Sequence, residues 1–113
     1  MSYKLKSRWL SSAKYPLKSP YAMRPAGIVV HNTAGDASAT EEAAAMVGNS
    51  SAVSFHVVID EEYAVESIPF SRNAFHAGDG VQGYANRNLI GIEIARSAEE
   101  SGDRFRRAEE NAA

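Results

Sequence analysis

Apolar residues in this 113-residue chain come in short runs, each bounded by residues that turn or cap. After Pro25, the run Gly27-Ile28-Val29-Val30-His31-Asn32-Thr33 reads as a buried strand from Ile28 to about Asn32, with an imidazole at its mouth. Ser38-Ala39-Thr40-Glu41 has the hydroxyl and carboxylate of a capping box. The alanine-rich stretch to Val47 continues as a helix, and Gly48-Asn49 ends it with residues that tolerate left-handed geometry. From Val53 to Asp60 the chain alternates: Val53, Phe55, Val57 and Ile59 share one face, and Ser54, His56 and Val58 the other. Glu61-Glu62 is a turn, Tyr63–Ile68 returns as the second arm of a hairpin, and Pro69 stops it. Ser71–Asn88 has no period and reads as a long irregular loop. Leu89–Ala95 is a strand whose composition predicts burial on both faces. Ser97–Gly102 is loop, and Asp103–Ala113 begins a helix with an acid at its start. Strand, helix, hairpin, strand, helix predicts an α/β fold: a single domain with a central mixed β-sheet flanked by α-helices.

Residues 1–25 break this rhythm. Pro16, Pro20 and Pro25 punctuate them, and an extended, non-helical lead-in is expected, with at most a short strand near Ser7–Leu10. The segment is also where charge is uneven. It carries Lys4, Lys6, Arg8, Lys14, Lys18 and Arg24 and no acid, whereas the whole chain has a net charge of -2. No basic and aromatic stripe continues beyond it, so a solvated edge is expected and nucleic acid is not. Length and 44% hydrophobic content suit one globular domain. No run is long enough for a membrane span, and no apolar stretch follows the basic N-terminus, so neither a membrane partner nor a secretory signal is expected. The absence of cysteine excludes disulfides and thiolate ligands within these 113 residues.

The chemistry lies in the strands. Parity puts His31 with Val29, and Glu93 with Gly91, on single strand faces. If the two strands are neighbours, imidazole and carboxylate face the same side, and Gly91 leaves space beside Glu93. A neutral imidazole is a zinc ligand, and a carboxylate near a zinc-bound water can take its proton. The plainer alternatives are a hydrogen-bonded strand-end histidine, and an ion pair of Glu93 with Arg96 or Arg87. His56, mid-strand, reads as structural. His76, in a glycine-rich loop, suits substrate better than metal. Gly78-Asp79-Gly80-Val81-Gln82-Gly83 matches the dinucleotide pattern GxGxxG, but it neither follows a strand nor opens a helix. The sequon Asn49-Ser50-Ser51 has no secretory context.

Four segments occur in a telling order: Ile28-Val29-Val30-His31-Asn32-Thr33, Val53-Ser54-Phe55-His56-Val57-Val58-Ile59-Asp60, Arg72-Asn73-Ala74-Phe75-His76-Ala77-Gly78-Asp79-Gly80, and Asn86-Arg87-Asn88-Leu89-Ile90-Gly91-Ile92-Glu93-Ile94. Together they resemble the zinc-dependent N-acetylmuramoyl-L-alanine amidases of the amidase-2 type. That group includes phage endolysins and prophage autolysins and shares its fold with peptidoglycan recognition proteins. The resemblance implies Zn2+ as cofactor, His31 as the first zinc ligand, and Glu93 as the carboxylate that activates the zinc-bound water. It implies a groove for peptidoglycan or a muropeptide, with Asn32, Thr33, Phe55 and His76 as candidate walls. Phe55 stands where some relatives carry a tyrosine. It also implies two further zinc ligands after the last helix. Residues 1–113 are therefore expected to be the N-terminal portion of a catalytic domain whose C-terminal part is missing. A monomer is expected, made in the cytoplasm and acting on the cell wall after release. The rival reading is a non-catalytic peptidoglycan-binding module of the same fold; a nucleic-acid binder would rest on residues 1–25 alone.

Overall fold

The computed structural model describes residues 3–96 and 103–112. Among the described residues, five strands form one sheet: β1 (Lys4–Ser7), β2 (Gly27–Asn32), β3 (Val57–Ile59), β4 (Tyr63–Glu66) and β5 (Leu89–Ile94). Their spatial order is β1-β4-β3-β5-β2. Only the β3–β4 pair is antiparallel; β1 with β4, β3 with β5 and β2 with β5 are parallel. The helices are α1 (Tyr15–Lys18), α2 (Ala39–Gly48), α3 (Tyr84–Asn88) and α4 (Asp103–Ala112). The expected mixed sheet with flanking helices is the observed architecture. The expected loop at Ser97–Gly102 and the terminal Ala113 lie outside the described residues.

Alternation in β3 divides the core. Val58 faces α2 and packs with Ala39, Ala43, Met46, Val65 and Phe55. Val57 and Ile59 face the opposite side, where they meet Ala64, Ile92 and Ala112 of α4. Ala108 of α4 closes over Ile94. The result is helix, sheet, helix, the arrangement that buries both faces of a central strand. Helix α2 starts with the predicted capping box. Ser38 Oγ accepts from Glu41 N at 3.1 Å, and Glu41 Oε1 accepts from Ser38 N at 2.9 Å. Buried Asp60 ties that start to the β3–β4 turn: its carboxylate accepts from Ala39 N, Glu62 N and Tyr63 N at 2.7–2.8 Å.

Several local expectations are corrected. The first strand is Lys4–Ser7 rather than Ser7–Leu10, set by parallel pairing with β4. The lead-in is not extended throughout: Ser12–Lys14 forms a 3-10 turn and α1 follows, with Pro16 in its first turn, where a missing N–H costs nothing. Nor is it merely solvated. Lys18 is fully buried, and its ammonium donates to Asn49 Oδ1 at 2.8 Å, Ser51 O and Val53 O. Lys14 donates to Gly48 O at 2.8 Å and Asn49 O at 2.6 Å. That cation ends α2, so no left-handed residue is needed there; Asn49 is extended. β3 is only Val57–Ile59, because residues 53–56 are drawn off the ladder. Ser54 Oγ donates to Lys18 O and accepts from Phe75 N, and Phe55 joins the Val58 cluster instead of the Val57 face. β2 is an edge strand, so its outer face is open: Ile28 is 60% exposed and Val30 51%. β5 is half-buried at Ile90 and Ile92 rather than sealed on both sides.

Candidate active site

The parallel β2–β5 register decides the site. His31 is the partner of Glu93, and Glu93 is the partner of Val58 on its other side. All three therefore point to the face that α2 covers. α2 lies over β3 and β4 and leaves the ends of β2 and β5 uncovered, so the surface there falls into a cleft of about 340 Å³. His31, Asn32, Thr33, Phe55, His76 and Glu93 all line it. The six residues singled out from sequence are thus brought together, with Glu42, Val53 and Ser54 added. Phe55 contributes an edge only; its ring is buried in the core beneath α2.

Glu93 has no hydrogen-bond or ion-pair partner among the described residues. The two arginines that could have neutralised it are engaged elsewhere. Arg96 Nε donates to Glu61 at 2.9 Å. Arg87 donates to Gln82 at 3.0 Å, and its guanidinium lies 3.9 Å over the Tyr21 ring. Burial without a counter-charge raises the Glu93 pKa to about 7, and the Glu42 carboxylate adds to the rise. Glu42 is itself raised, by burial and then by Glu41. Such a carboxyl exchanges a proton near neutral pH, which suits general acid–base work.

The loop 71–88 is built rather than irregular, which corrects the sequence reading. Asn86, buried, is its centre. Its Oδ1 accepts from His76 N at 2.9 Å and Ala77 N at 2.8 Å, and its Nδ2 donates to Ala77 O at 2.7 Å and Gly80 O at 3.1 Å. The glycine motif does open a helix after all: Gly83 is the N-cap of α3. A Cβ at Gly83 would lie 2.1 Å from the Asp79 carboxyl carbon, so glycine serves close packing there. No strand precedes the motif, so it is no dinucleotide fingerprint.

His76 is carried by this loop onto the sheet. Its ring rests on Gly91, where a Cβ would come 2.4 Å from His76 Cγ. The space expected beside Glu93 is thus occupied by an imidazole. His76 Nε2 bonds Leu89 O at 2.9 Å. Burial lowers its pKa, partly opposed by that bond. His56 is structural, as its position suggested: Nε2 bonds Arg72 O at 2.7 Å and Nδ1 accepts from Gly91 N at 2.9 Å. Burial lowers its pKa to about 4.

A family model described as N-acetylmuramoyl-L-alanine amidase matches residues 21–113. The chain belongs to the N-acetylmuramoyl-L-alanine amidase family. It is 45% identical over 109 residues to the N-acetylmuramoyl-L-alanine amidase XlyB of Bacillus subtilis (strain 168), covering 96% of this chain and 34% of that protein. It is 44% identical to CwlA of the same organism, covering 96% of this chain and 40% of that one. Among solved structures, PlyL superimposes with a TM-score of 0.91 at 43% identity, covering 96% of this chain and 67% of PlyL. The catalytic domain of PlyG gives 0.89 at 41%, covering 96% and 65%. The chain thus spans about a third to two fifths of these curated relatives and about two thirds of these solved chains.

Within this amidase-family chain, the residues fit a metal ion only in part. His31 offers a ring nitrogen to the cleft beside Glu93. Among the described residues, however, no three metal-ligating side chains come together, and a zinc site ordinarily needs three protein ligands. Sequence reasoning missed Glu42, although a signal existed. It lies three residues after Ala39 and four before Met46, both buried, so it shares the inward face of α2.

Proposed function

We propose that this chain is the cleft-bearing part of a peptidoglycan hydrolase that cleaves the amide between N-acetylmuramic acid and L-alanine, with Glu93 as general base. The observation that carries the reading is an unpaired, half-buried carboxylate in register with a cleft-facing histidine, in a chain of the amidase family. In this reading His31 is one zinc ligand, and the set is completed by donors from outside the described residues. A zinc ion held there would polarise the scissile carbonyl and acidify the attacking water.

Glu93 accepts a proton from the attacking water at its carboxylate and returns it to the leaving alanine nitrogen. Its raised pKa is what lets one group do both near neutrality. Asn32, Thr33 and His76 border the groove that holds the muropeptide. Thr33 is suited to this: it is only 8% exposed, and its hydroxyl is enclosed with no partner among the described residues, so a substrate polar group can claim it.

The test is cleavage of purified cell wall by a chimera in which residues 1–113 replace the matching part of PlyL. New alanine α-amino groups should appear without new reducing sugar ends. Glu93→Ala should lower the rate by roughly 10²–10⁴. Reducing ends, or equal rates with and without Glu93, would refute the reading. A chimera that binds wall and zinc but releases nothing would favour the non-catalytic binding module.

A further inference from the structure

Two ring nitrogens in the cleft are enclosed and have no hydrogen-bond partner among the described residues: His31 Nε2 and His76 Nδ1. They belong to neighbouring rings, whose centroids are 5.7 Å apart at an interplanar angle of 55°.

The tautomer of His76 follows from its other nitrogen. Nε2 bonds the Leu89 carbonyl oxygen, which can only accept, so Nε2 carries the proton. In the neutral ring Nδ1 is then a bare lone pair, and no donor among the described residues reaches it. Were His31 protonated on Nδ1, its enclosed Nε2 would be a second lone pair beside the first. Two buried acceptors would then be left unsatisfied, each costly to leave so. Protonating His31 on Nε2 turns the same two atoms into a donor and an acceptor. A straight N–H···N bond between imidazoles sets their centroids roughly 5 Å apart, so from 5.7 Å the rings must close by at least about half an ångström.

We propose that His76 is the positioning residue of His31: its Nδ1 accepts a hydrogen bond from His31 Nε2–H and thereby leaves His31 Nδ1 as the bare donor atom facing the cleft. The relay runs from Leu89 O through His76 to His31. Metal-binding histidines are commonly held this way, through the ring nitrogen that does not touch the metal. Gly91 is part of the device, since any side chain there would displace the His76 ring. Asn86 is another, because it fixes the His76 and Ala77 amides. What His31 Nδ1 binds rests on the function proposed above; the tautomer and the hydrogen bond do not.

The experiment is nitrogen-15 imidazole NMR on the metal-free chain at pH 8. His31 should be protonated on Nε2, with a slowly exchanging proton and a through-hydrogen-bond coupling to His76 Nδ1. Two variants separate positioning from packing. His76→Asn keeps an acceptor where Nδ1 was and should keep the His31 proton protected. His76→Gln keeps a reach toward Leu89 but loses that acceptor, and should lose the protection. A zinc titration should show affinity at His31 falling about tenfold or more in His76→Gln and far less in His76→Asn. A wild-type His31 protonated on Nδ1, or no coupling to His76, overturns the proposal without need of any variant. Because neither readout involves cell wall, a failed cleavage assay and a failed relay are distinguishable.

Discussion

Burial shifts the pKa of Glu93 and of His56 toward the neutral form, yet the two respond oppositely to pH. His56 has a folded pKa of about 4, below its ordinary 6.5. The unfolded chain therefore binds that proton first. Its contribution to stability is complete above about 6.5 and is lost as pH falls toward 4, to a total of about 3 kcal/mol. Glu93 has a folded pKa of about 7, above its ordinary 4.5. The folded chain binds that proton first, so stability declines as pH rises from 4.5 through 7. Between 4.5 and 6.5 the two slopes oppose each other. The Glu93 slope is the weaker, because its carboxylate borders an open cleft and is screened by solvent. A shallow acid sensitivity is expected for the wild type. Glu93→Gln should leave the slope of His56, up to about 1.4 kcal/mol per pH unit, joined by His76 and opposed only by Glu42, and should be more stable than wild type near pH 8 by about 1 kcal/mol. Urea unfolding at pH 5, 6 and 8 checks this. A Glu93→Gln chain less stable than wild type at pH 8 would mean that the carboxylate has a folded-state partner.

At the scale of elements, what could be read from sequence was what a local period or cap encodes. Helix α2 and its capping box, the hairpin turn, β2 and β5 all depend on spacing within one segment, as does the strand face each of His31 and Glu93 takes; that the two faces meet depends on the β2–β5 register. What could not be read depends on partners far along the chain. Residues 12–23 read as part of an extended basic lead-in because their partners lie 31 to 57 residues away. Lys18 is held by residues 49–53, Arg72 lies 4.1 Å over the Tyr15 ring, and Asn73 Oδ1 accepts from Tyr21 N at 2.9 Å. Loop 71–88 looked aperiodic because one buried side chain, Asn86, organises it. The Lys18 anchor predicts a consequence for the site. It holds the carbonyls of Ser51 and Val53, immediately before Ser54 and Phe55 on the cleft wall. Lys18→Met removes the donor and strips the Ser51 and Val53 carbonyls of their bond, while Asn49 Oδ1 keeps only the one from Ser51 N at 3.1 Å, at an expected cost of about 2–4 kcal/mol. Hydrogen exchange should show protection lost first at Ser54, whose amide bonds Phe75 O at 3.0 Å, while β5 amides keep theirs. Uniform loss across the sheet would mean that Lys18 supports the whole fold rather than this wall.

At the scale of the whole molecule, the two sides of the sheet have different completeness. The α2 side is a packed core that ends in a cleft with its residues already gathered. On the α4 side, β2 is bare at Ile28 and Val30. The metal question has the same character. The cleft brings one histidine with an available nitrogen and a carboxylate to one place. His56 is spent on Arg72 and Gly91, and His76 on Leu89, so neither is free to be a further ligand without breaking a bond that seats the loop. Zinc affinity rises steeply with ligand number, because each added protein donor replaces a water without further loss of ion freedom. The 113-residue chain should therefore bind Zn2+ with a dissociation constant no tighter than about 10 μM. His31→Ala should abolish that binding, and a chelator should leave the thermal midpoint of the wild-type chain unchanged. The chimera with the remainder of PlyL should bind zinc at one equivalent, and there a chelator should lower the midpoint. Calorimetric titration and thermal melts decide it. One equivalent of chelation-resistant zinc in the 113-residue chain would show that His76 leaves Leu89 to join His31 on the metal, and would overturn both the partial-site reading and the relay.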